Sequence, residues 1–101
     1  MEDKTALSDD QITAELARLD GWQRDGVYIA KTFEFANFAE INQFLPHIAK
    51  TIVAQNHHPD FSLDTGSRTV SVRMTTHSHG GITRADITLA RALNAWQSNA
   101  R

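Results

Sequence analysis

Asn37-Phe38-Ala39-Glu40-Ile41-Asn42-Gln43-Phe44-Leu45-Pro46-His47-Ile48-Ala49-Lys50-Thr51-Ile52-Val53-Ala54-Gln55 is the stretch on which the fold turns. Asn37, with Glu40 three residues on, has the spacing of a helix N-terminal cap. Phe38, Ile41, Phe44, Leu45, Ile48, Ile52 and Val53 then recur at helical intervals and give a broad apolar face through about Gln55. A stripe that wide predicts the central core helix. Pro46 lies inside it, removing an amide donor and crowding the preceding turn at a cost of about 3 kcal/mol. The helix is therefore expected to kink there or to be held tightly by packing.

Moving outward, each flank of this helix reads as a hairpin. Upstream, Val27 to Phe35 alternates, with Ile29, Phe33 and Phe35 on one side and Tyr28, Thr32 and Glu34 on the other, and Trp22-Gln23-Arg24 before an Asp25-Gly26 turn supplies a short partner. Downstream, Phe61 and Leu63 alternate, Asp64-Thr65-Gly66-Ser67 reads as a turn, and Val70, Val72 and Met74 alternate again. A helix stands at each end. Ser8-Asp9-Asp10-Gln11 has capping-box spacing ahead of Ile12, Leu16 and Leu19, which predicts a helix from Asp9 to Leu19 closed by Gly21. Thr83 with Asp86 caps the last helix, Ile82 and Ile87 are placed as a hydrophobic staple, and Ile87, Ala90, Leu93 and Trp96 face inward. The fold class is thus α+β, in the order α-β-β-α-β-β-α. A four-stranded antiparallel sheet with three helices packed on one face buries all of these stripes in two layers.

The whole chain, residues 1–101, reads as one domain, since this length cannot build two independent cores. The first few residues and Gln97 to Arg101 are expected to fray. Ten Lys and Arg against twelve Asp and Glu, scattered by sign, show no footprint for nucleic acid. The absence of cysteine excludes disulfides, thiolate nucleophiles and sulfur-bound zinc. The chain opens on polar residues and has no apolar run of membrane-spanning length, so no membrane partner and a cytoplasmic location are expected. Open strand edges, with Tyr28 and Ala30 on the outer face, favour self-association.

The chemistry concentrates in histidine. Imidazole is the side chain whose ordinary pKa lies near neutrality, so a cluster of exposed rings moves protons without elaborate tuning. His57 and His58 leave the central helix, Pro59 turns the chain into the third strand, and His77 follows the fourth. If those strands pair as a hairpin, all three rings meet at one end of the sheet. Amides around Thr75, Thr76 and the His79-Gly80-Gly81 turn can bond a planar heterocycle. His47, mid-helix, is expected to be a boundary residue and His79 a rim residue.

These blocks resemble the pterin-4a-carbinolamine dehydratases: Leu19-Asp20-Gly21-Trp22, Phe33-Glu34-Phe35 with Asn37-Phe38, Asn56-His57-His58-Pro59-Asp60, Thr75-Thr76-His77, and Gly80-Gly81-Ile82-Thr83-Arg84-Ala85-Asp86 with Leu89-Ala90. The resemblance implies loss of water from 4a-hydroxytetrahydropterin to give quinonoid dihydropterin, the recycling step that follows an aromatic amino-acid hydroxylase. It further implies His57 and His77 as acid/base residues with His58 assisting, and Asn56, Thr75 and Thr76 near the pterin. Asp86 would support the histidines, no metal or organic cofactor would be needed, and the assembly would be a homodimer or homotetramer. Val53 stands where the family usually carries an acid, and Thr65 where it commonly carries an aromatic residue. Two other readings compete. Four imidazoles at His57, His58, His77 and His79 are a ligand type suited to zinc, copper or nickel, and the family also includes dimerisation cofactors, which makes a non-catalytic binding module the alternative.

Overall fold

The computed structural model describes residues 2–96, so the expectation for Gln97 to Arg101 lies outside the described residues. The chain runs α1 (Asp9–Leu16), β1 (Gln23–Asp25), β2 (Tyr28–Glu34), α2 (Phe38–Gln55), β3 (Asp60–Asp64), β4 (Thr69–Met74) and α3 (Arg84–Asn94), with a one-turn 3-10 helix at His77–His79 before α3. This is the expected α-β-β-α-β-β-α order, and the four strands form one antiparallel sheet in the spatial order β1-β2-β4-β3.

Register explains how the layers close. In the β2–β4 pairing Ile29 faces Met74 and Phe33 faces Val70, so side chains of like character lie on one side of the pleat. That side packs into a cluster with Ile41, Phe44 and Ile48 of α2 and Ile87, Leu89, Ala90 and Leu93 of α3. Fully burying a side chain such as Phe44 is worth about 1.5–3 kcal/mol. Phe44 also meets the rings of Phe33, Phe35 and Trp96. Ala30, Thr32, Ser71 and Arg73 point to the other face, which no helix among the described residues covers.

α2 runs unbroken through Pro46. Phe44 and Ile48 on either side of it are fully buried, and His47 Nε2 donates to Ala92 O of α3 at 3.1 Å, so packing holds the helix against the lost amide bond. His47 is therefore a boundary residue that ties two helices together.

Three boundaries differ from the sequence reading. α1 ends at Leu16 rather than Leu19, because a turn delivers Leu19 to the core more directly than a further helical turn does; Gly21, at φ 81°, completes that turn. The first hairpin pairs Asp25 with Tyr28, which moves its two-residue loop to Gly26-Val27. Gly26 takes the positive φ of 63° that the first position of such a tight loop demands. The start of the chain is also anchored where fraying was expected. Arg84 N–H donates to Thr5 O at 2.9 Å, Leu7 N–H donates to Ile82 O at 3.4 Å, and Ala6 bridges Thr83.

Candidate active site

α2 stops at Asn56, which adopts the left-handed conformation at φ 53°, a state asparagine tolerates better than most residues. Pro59 then bars any return to helix, so His57 and His58 are left in the short link before β3. On the other arm, Thr75 follows β4 and its hydroxyl donates to Val27 O at 2.5 Å. Thr76 and Gly81 exchange backbone hydrogen bonds across the 3-10 turn, with Gly80 at φ 71°, and the turn carries His77 to the surface.

The two arms converge. His57, His58 and His77 line one shallow cleft of about 210 Å³ together with Thr75, Thr76, Ser78, Glu2 and Lys4. His58 and His77 are exposed, whereas His57 is only 5% exposed. Asn56 is exposed and serves as the helix cap, outside the cleft lining. Asp86 also stays behind the lining, fully buried at 0% exposure. Its Oδ1 lies 2.6 Å from His57 Nε2, while Oδ2 accepts from Thr76 Oγ1 and from Thr83 N–H, both at 2.9 Å. One oxygen of the Asp86 carboxylate thus meets the His57 ring while the other caps the start of α3.

Glu2 is the residue that sequence reasoning missed. Its Oε2 lies 2.5 Å from His57 Nδ1, and Lys4 Nζ stands 3.4 Å from its other oxygen. Hydrogen bonding to Asp86, reinforced by Glu2 and opposed by burial, raises the His57 pKa above its ordinary value. The same contact with His57 lowers the Glu2 carboxyl below its ordinary range. The Tyr28 ring, on the outer face, meets that of His77 edge-on at 6.2 Å and is covered by the Arg73 guanidinium at 3.7 Å.

A larger open depression of about 770 Å³ occupies the bare sheet face. Its charged lining mixes Arg24, Lys31 and Arg73 with Asp25 and Asp60, and it contains no histidine. Proton-transfer chemistry therefore favours the smaller cleft. Among the described residues, no group of three or more His or acidic side chains is arranged to hold a metal ion. His79 turns instead to Ser78, whose hydroxyl lies 2.9 Å from its Nδ1.

Comparison with known proteins gives one answer over most of the chain. The family model for pterin 4 alpha carbinolamine dehydratase matches residues 5–96. A protein of Mesorhizobium japonicum whose name assigns it to the pterin-4-alpha-carbinolamine dehydratases is 42% identical over 90 residues, covering 87% of this chain and 90% of its own. One from a Roseiflexus species, named likewise, is 39% identical and covers 89% of this chain and 95% of its own. The crystal structure of a Brucella melitensis protein described as a transcriptional coactivator/pterin dehydratase superposes with a TM-score of 0.82 at 31% identity, over 90% of this chain and 97% of that one.

Proposed function

The chain belongs to the pterin-4-alpha-carbinolamine dehydratase family, and from that premise we propose that it removes water from a 4a-hydroxytetrahydropterin to give the quinonoid dihydropterin, by histidine acid/base catalysis in the cleft at the end of the sheet. The supporting observation is the meeting of His57, His58 and His77 around one opening. In this reaction the hydroxyl on C4a leaves as water after taking one proton, N5 gives up its own proton, and the C4a–N5 bond becomes double. Nothing is oxidised or reduced, so the protein has only to position the ring and to move two protons.

The rings divide this labour by environment. His77 is exposed beside the cleft, held on one side by the edge contact with Tyr28, and is the ring that exchanges protons with substrate and solvent. His58, exposed in the same cleft lining, assists. His57, buried with a carboxylate oxygen at hydrogen-bond distance from each ring nitrogen, is the second acid/base ring of the cleft lining. Thr75 and Thr76 supply the wall against which the bicyclic ring lies. Carbinolamine dehydration, followed by absorbance with and without the protein, tests this reading: acceleration above the buffer rate supports it, and its absence defeats it.

A second reading concerns assembly. β3 is an open edge of the sheet, and on it Phe61 and Leu63 remain exposed although they lie on the helix-covered face. An apolar edge of this kind is what a second copy pairs with, and we place the expected dimer or tetramer contact there. Sedimentation of the wild type and of Phe61→Lys decides between association and a monomer.

A further inference from the structure

The first residues of the chain form a strap pinned at Thr5, Ala6 and Leu7 to the start of α3, with Leu7 packed against the core. Anchoring there delivers the Glu2 side chain to His57. The ring then sits between two carboxyl groups at hydrogen-bond distance, Glu2 Oε2 2.5 Å from Nδ1 and Asp86 Oδ1 2.6 Å from Nε2. A neutral imidazole carries one N–H and can donate to only one of them. Both contacts are satisfied only when the three groups share a second proton, and imidazole is a stronger base than carboxylate.

We propose that Glu2 is a positioning residue of the site, its carboxylate holding His57 as an imidazolium at neutral pH with Nδ1–H fixed on Glu2 and Nε2–H on Asp86. The catalytic consequence rests on the dehydratase reading above; the clamp itself rests on geometry. The charged and titratable groups facing this ring come from each surrounding segment: Glu2 and Lys4 from the strap, His58 from the α2 exit, His77 from the 3-10 turn and Asp86 from α3. Lys4, 3.4 Å from Glu2, offsets part of the negative charge. The two carboxylates outweigh it because both bond the ring directly. The upward displacement of the His57 pKa, to which both contribute, agrees with this balance.

Glu2→Gln is the decisive variant, because it keeps an oxygen acceptor at Nδ1 and removes the charge. Individual imidazole titrations by NMR are measured for the wild type, Glu2→Gln and Glu2→Asp, alongside kcat for carbinolamine dehydration as a function of pH. The His57 midpoint is expected to fall in Glu2→Gln, with the basic limb of the kcat profile moving the same way and Glu2→Asp recovering part of both. A strap that merely covers the cleft would change stability and leave the His57 midpoint where it was, and an unmoved midpoint overturns the proposal. If every form lacks turnover, the dehydratase reading falls, while the titration still decides the role of Glu2.

Discussion

Asp86 Oδ1 approaches His57 Nε2 to 2.6 Å while Asp86 Oδ2 accepts the Thr83 N–H that opens α3. The start of a helix and the orientation of the most buried site histidine therefore depend on one carboxylate. Burial makes the arrangement stiff, since a buried acceptor set of this kind has no water to turn to if a partner is lost.

Asp86→Ala is accordingly expected to destabilise the protein by roughly 3 kcal/mol or more, because it removes a helix cap and leaves a buried histidine without its deepest partner. Urea unfolding of the two proteins measures the difference. A loss below about 1 kcal/mol, the level of an ordinary surface cap, would mean that the buried network contributes little.

Stability should depend on pH with a definite sign. The His57 pKa is raised on folding, so the native state binds a proton that the unfolded chain releases once pH exceeds the ordinary histidine value of 6.5. The stabilisation from this pair is complete below that value and is lost as pH rises through the higher native one. Glu2 and Glu15 have lowered pKa values, from the hydrogen bonds to His57 and to Arg84 respectively, so their contributions are lost as pH falls through those depressed values. Urea midpoints across this range should pass through a maximum on the acid side of neutrality, and Asp86→Asn should flatten the decline above it.

Val53 tests what a departure from the family pattern costs. It is 81% exposed on α2, within reach of water and outside the cleft lining. Val53→Glu is expected to change stability by no more than about 0.5 kcal/mol, the usual range for surface positions. Thermal unfolding checks this, and a larger loss would show that Val53 is covered in the assembled protein.

Phe44→Ala should cost about 3–5 kcal/mol, as expected for removing a fully buried aromatic ring. Phe44 stands at the junction of Phe33, Phe35 and Trp96, so collapse around the gap would require several rings to move together. Chemical denaturation gives the value.

Much of this could be seen in the sequence, for reasons that differ by element. The α2 stripe was legible because Ile41, Phe44 and Ile48 keep helical period and all are buried, although Phe38 and Val53, assigned to the same face, are exposed at its two ends. β3 was legible from the alternation of Phe61 and Leu63 even though, as an edge strand, it leaves both exposed. The end of α1 was misplaced because Leu19 continues the helical spacing while a turn brings it into the core. The meeting of His57, His58 and His77 followed from pairing β3 with β4. Glu2 gave no signal: a single acid in a polar opening stretch has no periodicity, and its bond to His57 spans 55 positions that only the folded strap brings together.

The most direct test is the rate of 4a-carbinolamine dehydration by the wild type and by His77→Ala, with folding verified by circular dichroism. His77 is exposed, so its removal should leave the fold intact. We expect the wild type to accelerate dehydration above buffer and the variant to lose about 10²–10⁴-fold of kcat, the range for removing a general acid or base. A wild-type rate equal to buffer, or an unchanged rate in a folded His77→Ala, would contradict histidine-driven dehydration in this cleft.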